Sequence, residues 1–400
     1  MNTLKERLTA HIREDRLIEI VSDMVRIPSY YGIPAQETAV AEYVKSVFDA
    51  NGIPCELKEV VDGRCNVIAT LDSGEPGRTI MFNSHLDTVE PNGWTEAFSP
   101  QIIDGKLYGR GSNDDKGPLA CVIEAMLAIQ ATGALEKGKI ILTGVLDEEH
   151  NSIGTIDIVE SGITADGAII AEATDLEIQT CQRGLEWLKF HFVGKTVHGG
   201  RQREGINAIA KAVAFINAME EKLIPKVAAR THPLLQEAAI NYGVIHGGTQ
   251  LSTVAGECDL FVDTRFLPDQ NYDDVLGEFQ SLLDELAARD SQFKCEMSVC
   301  EESVMKNGYI HLPYETPLKH PLVTTTQEAV KTATGEEAVT SFTRAWTDGG
   351  LLSGYGNIPT IVMGPRGDGA HANNENVPVD HLSKSALIYA LAAVEFCCAV

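Results

Sequence analysis

The chain has 400 residues, 44% of them hydrophobic and 22% charged, and its 57 acidic against 32 basic side chains leave a net charge of −25. That size exceeds one ordinary core, so a soluble enzyme of two domains is expected. The acidic field excludes nucleic-acid and membrane-surface partners as readings, and no apolar run approaches the ~20 residues of a membrane span.

In chain order, the N-terminus reads as a polar amphipathic helix rather than a signal peptide. Apolar residues at three- and four-residue spacing predict helices over 14–27 and 36–52. Four short apolar runs follow: CNVIATL (65–71), TIMFNSH (79–85), KIILTGVL (139–146) and GAIIAEA (167–173). Runs this uniformly apolar suggest strands buried on both faces of a helix-covered sheet. A Gly-rich turn opens a helix from about Gly117 to Thr132.

The middle of the chain has another rhythm. LEWLKFHFVG (185–194) and GECDLFVDTRF (256–266) alternate, FKCEMSVCEES (293–303) does so roughly, and helices are predicted over 206–223 and 272–289. Strand–helix–strand–strand–helix–strand is the ferredoxin-like order. After residue 320 come a helix (321–334), the strand PTIVMGP (359–365) and a helix (380–396). The expected architecture is an α/β layered catalytic domain with a central, mostly parallel sheet, in two parts (1–184 and 304–400). An α+β ferredoxin-like domain (185–303) is inserted between them. The nine cysteines form no CxxC pair and read as reduced thiols of a cytoplasmic protein.

Five potential metal ligands stand at strand ends or in Gly-rich turns: His85, Asp114, Glu149, Glu172 and His371. Two imidazoles and three carboxylates suit zinc first, with cobalt or manganese as alternatives. A catalytic zinc usually takes three protein ligands and keeps one open position. Five residues therefore serve two ions if one carboxylate bridges, and Asp114, in the Gly-rich GRGSNDDKG (109–117), is the expected bridge. Three carboxylates and a hydroxide then balance two divalent cations, as a buried site favours. In HLD (85–87), Asp87 shares a strand face with His85 and is placed to orient its imidazole. In DEEH (147–150), Glu149 is assigned to metal and Glu148 to general acid–base work. Taken singly, each motif has an ordinary structural reading; their combination in one chain is what points to a site.

HLDTV, GRGSNDDKG, DEEH, the strand-end Glu172 and HANNENV, in that order, resemble the motifs of the dinuclear zinc aminoacylase and carboxypeptidase family. That family comprises metallopeptidases like acetylornithine deacetylase, succinyl-diaminopimelate desuccinylase and glutamate carboxypeptidase. The resemblance spans essentially the whole chain, including an inserted lid and dimerisation domain. It implies that His85, Asp114 and Glu172 hold one metal, that Asp114, Glu149 and His371 hold the other, and that Glu148 is the base. It implies a cis peptide between Asp114 and Asp115. It further implies that His198, in KTVHGGRQREGINAI (195–209), helps hold the oxyanion across a dimer, and that Arg265, in DTRFLP (263–268), binds a substrate carboxylate. One segment departs from the pattern: QLSTVAGE (250–257) has Ser252 where many members carry asparagine, so that residue's polar contact to substrate is not implied here. TDGG (347–350) fits the family's glycine-rich segment, and equally an ordinary tight turn.

The expected activity is hydrolysis of the amide bond of an N-acyl amino acid by a metal-bound hydroxide, with Glu148 as general base. A carboxypeptidase or dipeptidase acting on small peptides is the alternative within this chemistry, because both bonds are amides flanking a carboxylate. A non-catalytic binding or assembly relative is the rival of another class, and an unligated Glu148 argues against it. Two divalent ions, a small-molecule substrate and a homodimer complete the expectation.

Overall fold

The computed structural model describes residues 3–399, and the chain divides into two compact units. The first runs to Cys181 and resumes at Tyr314–Thr343 and from Thr347 onward; the second is Gln182–Pro313 with Arg344–Trp346.

The first unit is built on a nine-stranded mixed sheet. Its spatial order is Cys55–Val61, Arg64–Asp72, Lys139–Val145, Thr79–His85, Gly167–Ile170, Thr360–Val362, Ile178–Gln182 and Tyr314–Glu315, with Thr340–Thr343 paired to Ile178–Gln182. The four central strands are mutually parallel and the strands flanking them antiparallel. Alternation sends successive side chains to opposite faces. Ile80, Phe82, Ile140, Leu142, Ile169 and Ile361 enter one core. Met81, Ile141, Ala168, Ile170 and Val362 enter the other. Helices Lys116–Thr132, Pro321–Thr334 and Val379–Cys398 pack in the first layer, while Ile153–Glu160 and Gly349–Gly354 serve the second.

Among the elements that differ from expectation, two are helices of the first unit. The N-terminal helix is broken into Leu4–Thr9, closed by a Thr3/Glu6 capping box, and Glu14–Val25. Between them the Arg13 backbone N–H donates to the buried Glu124 carboxylate at 2.6 Å, a tertiary bond that replaces the helical one. The C-terminal helix Val379–Cys398, 20 residues long, is apolar enough to cross a membrane by length and composition alone. Its apolar residues are instead buried in the first core, which accounts for its composition.

In the second unit, the strands Ala239–Gly247, Glu257–Phe266, Gly184–Val193 and Cys295–Val299 form an antiparallel sheet in that spatial order. With helices Ala208–Ala218 and Tyr272–Arg289 this is the ferredoxin-like arrangement. Phe190, Phe192, Phe215, Phe279 and Phe293 pack ring to ring between sheet and helices. The unit continues past residue 303 because the Leu185 N–H donates to the His311 carbonyl (3.0 Å) and the Trp346 indole donates to the Leu312 carbonyl (3.0 Å).

Candidate metal centre

Parallel pairing puts the C-terminal ends of the central strands at one edge of the first unit, where open α/β sheets present ligands. His85 is the last residue of its strand, opposite Val145, and the turn bearing Glu148 and Glu149 begins just beyond. Glu172 lies two residues past the strand Gly167–Ile170. Asp114 arrives from the loop before helix Lys116–Thr132, and its peptide bond to Asp115 is cis. His371 sits in the loop after Thr360–Val362 with φ +61°, a left-handed conformation uncommon for a side-chain-bearing residue.

These five residues converge. His85 Nε2 lies 2.9 Å from Asp114 Oδ1 and 3.4 Å from Glu172 Oε1. On the other side of Asp114, His371 Nε2 lies 3.3 Å from Oδ2 and 3.0 Å from Glu149 Oε2. The two oxygens of Asp114 thus face two different imidazoles, each accompanied by a further carboxylate. His85 is almost fully buried, and His371 is 57% exposed.

Asp87 does more than orient His85. His85 Nδ1 faces the Asp87 carbonyl oxygen at 3.1 Å and its carboxylate at 3.4 Å. The Asp87 carboxylate itself accepts the backbone N–H groups of Glu148 (3.2 Å) and Glu149 (3.0 Å), so it ties the turn that carries both glutamates to the histidine strand. Asp115, buried behind this, accepts from the Ser84 hydroxyl and from the His85 N–H (3.2 Å). Ser84, Asp115 and Asp348 were absent from the sequence-derived set. Asp348, from TDGG, accepts from the Thr155 hydroxyl at 2.5 Å and lies close enough to influence Glu148.

Crowded carboxylates shift one another's protons. Burial pushes Glu172 up to about 7, against the pull of His85. Burial also raises Glu148 well above the usual range; Asp348, Glu172 and Glu149 add to this and His85 opposes it. Asp114 goes the other way: burial would raise it, but hydrogen bonds from His371 and His85 hold it below its ordinary value. The hydrogen bonds His371 makes to the Asp114 and Glu149 carboxylates lift it to about 10.

Such a ring calls for cations. Ligand atoms of His85, Asp114 and Glu149, and of His85, Asp115 and Glu172, lie within 4.8 Å of one another. Glu149 Oε1 and Asp115 Oδ1 are buried acceptors without a hydrogen-bond partner, which is costly unless a cation or donor reaches them. The donor set therefore fits divalent metal. Glu148 stands apart, within hydrogen-bond reach of neither His85 nor His371.

His198 and Arg265 belong to the second unit. The exposed His198 precedes the short helix Gly199–Glu204 and accepts the Gly200 N–H on Nδ1 at 3.1 Å. A neutral ring so held carries its proton on Nε2 as a donor. Arg265 is paired along its own strand with Asp263, Nε to Oδ1 at 2.8 Å and Nη2 to Oδ2 at 3.1 Å. Ser252 is exposed.

Known proteins share this fold. The chain is 28% identical over 403 residues to N-formyl-4-amino-5-aminomethyl-2-methylpyrimidine deformylase of Halalkalibacterium halodurans, covering 94% of each chain. It is 25% identical over 415 residues to a probable succinyl-diaminopimelate desuccinylase of Staphylococcus aureus, covering 96% of this chain and 98% of the relative. Among solved structures, a Staphylococcus aureus tripeptidase superposes with a TM-score of 0.80 at 23% identity, covering 97% of this chain and 99% of the other. Residues 81–395 match peptidase family M20/M25/M40. The chain belongs to that family and is a metallohydrolase acting on amide bonds.

Proposed function

We propose that this enzyme is a dinuclear deacylase that removes a small acyl group from the nitrogen of an amino acid or related amine. The observation that carries the dinuclear reading is Asp114, whose two oxygens face His85 and His371 on opposite sides. His85, Asp114 and Glu172 would hold one ion and Asp114, Glu149 and His371 the other, zinc being the first choice for this donor set. Bound there, the metals supply Lewis-acid polarisation of the amide carbonyl and acidify the attacking water.

The chain's own groups handle the proton. Glu148 accepts it from the attacking water and returns it to the departing amine, and a buried carboxylate of raised proton affinity suits both transfers. Asp87 holds the Glu148 backbone while this happens. We assign His198 Nε2–H to the developing oxyanion, supported by its tautomer and exposure. We assign Arg265 to a substrate carboxylate, shared with Asp263.

Deacylation is favoured over peptide cleavage because the two relatives of higher sequence identity, 28% and 25%, are named for removing formyl and succinyl groups, whereas the tripeptidase is 23% identical. A homodimer is part of the proposal. Ala239–Gly247 is an edge strand with Val244 and Ile245 exposed, and the neighbouring helix Ala208–Ala218 exposes Ile209 and Val213. An uncovered apolar edge of this kind invites symmetric pairing. The test is a hydrolysis panel of N-formyl, N-acetyl and N-succinyl amino acids, N-formylated aminomethylpyrimidine, and di- and tripeptides, each run with metal-free and zinc-loaded protein. Faster turnover of an N-acyl compound than of any peptide is expected; a peptide preferred at least tenfold would overturn the deacylase reading.

A further inference from the structure

Glu375 lies outside the ring of metal-ligating candidates, yet it holds that ring's central loop. Its carboxylate is completely buried. Oε1 accepts the N–H groups of Asn113 (2.9 Å) and Asp114 (3.0 Å), and the Gly111 N–H lies 3.0 Å from both oxygens. Oε2 accepts from Nη1 of the buried Arg110 at 2.6 Å, and Arg110 Nη2 donates to the Glu90 carbonyl at 3.1 Å. The Glu375 carbonyl accepts the Gly109 N–H at 3.1 Å. Several N–H groups turned onto one anion form a nest. Here the anion is supplied by the protein, from the segment that also carries His371.

That segment is itself closed tightly. Asp368 and Asn376 exchange backbone hydrogen bonds of 2.9 and 3.0 Å, and Gly369, at φ +78°, passes so close to Glu375 that an added Cβ would lie 3.1 Å from its Cα. One carboxylate therefore joins the loop of Asp114 to the turn of His371. Glu172 and His85 are held otherwise: the Glu172 N–H donates to the Ile170 carbonyl, and the His85 N–H donates to the Asp115 carboxylate, with which Glu375 makes no hydrogen bond.

We propose that Glu375 is a positioning residue that sets Asp114 and His371 relative to one another, so that the ion held by Asp114, Glu149 and His371 depends on it more than the ion held by His85, Asp114 and Glu172. This rests on the dinuclear reading above. Glu375→Gln keeps the shape but must turn an NH2 either toward Arg110 Nη1 or toward three backbone N–H groups, donor against donor in both cases.

The experiment titrates metal-stripped full-length protein with zinc against a chromogenic chelator, records the visible spectrum of the cobalt-substituted form, and measures melting of the stripped protein. Wild type should bind two ions. Glu375→Gln should hold the first within about threefold of wild type and the second at least ~10-fold more weakly, within the ~10–100-fold typical of groups that orient ligands. Glu375→Asp should fall between, and if Glu375→Gln does not fold, Glu375→Asp and Arg110→Lys are read by the same criterion. A merely structural role would lower melting and weaken both ions alike; that result, or two unchanged affinities, overturns the inference. Wild-type protein binding fewer than two ions overturns the dinuclear reading, and this inference with it, which is a distinct outcome.

Discussion

Replacing Glu148 with glutamine separates proton transfer from metal binding. Glu149 contacts His371, whereas Glu148 meets neither histidine and is held only through its backbone N–H, by Asp87. Glutamine matches the shape of glutamate, so Asp114, Glu149 and His371 have no reason to move. What is lost is the carboxylate proposed to take a proton from water and return it to the amine. General acid–base groups contribute ~10²–10⁴ in rate, equivalent to about 2.7–5.4 kcal/mol of barrier. Water carrying the proton slowly in its place sets the loss at the lower bound or above. Steady-state kcat on the best substrate of the panel, with zinc counted in the same sample, reads both quantities. Glu148→Gln should keep two zincs per chain and lose at least ~100-fold in kcat. Loss of zinc with Glu148→Gln, and its retention with Glu149→Gln, would show that the roles of the adjacent glutamates are reversed.

The remaining expectations follow from the same contacts. Asp87→Ala strips the acceptor from the Glu148 and Glu149 N–H groups and should cost roughly 10–100-fold in activity, with Asp87→Asn recovering part of it; steady-state kinetics reads both. Mixing inactive His198→Ala and Glu148→Gln subunits should restore partial activity if His198 serves the partner's site, because one site of the heterodimer then carries neither lesion; no recovery after verified subunit exchange would place its action elsewhere. Gly133 caps helix Lys116–Thr132 at φ +61° with open space around its Cβ position. Gly133→Ala should therefore cost about 1–2 kcal/mol by backbone strain alone, seen in denaturant unfolding, with activity unchanged.

The central strands were legible because they are apolar throughout, as burial between two helical layers requires. Thr79–His85, Lys139–Val145 and helix Pro321–Thr334 lie within a residue of their expected bounds. The edge strand Cys55–Val61 was not, because Glu56, Lys58 and Glu59 make it read as solvated loop. The strand Ala239–Gly247 is also missing from the sequence reading; it is mostly exposed and so shows no burial pattern. In the site, the side chains that would reach the metals stood out by residue type and by position at strand ends. Of the residues that hold them, Asp87 stood out beside His85 and the others did not. Asp115 and Glu375 act through backbone N–H groups and a hydroxyl, contacts that leave no spacing rule in the chain. For Glu375 one signal existed: a carboxylate four residues beyond a candidate ligand, in the same HANNENV segment.

Anomalous diffraction from a zinc-loaded crystal reads out whether Asp114 joins two metal ions. Two peaks about 3.5–4 Å apart are expected, one beside His85 and Glu172, the other beside Glu149 and His371, with one oxygen of Asp114 on each. A fully loaded crystal with a single peak, or with Asp114 bound to neither ion, would contradict it.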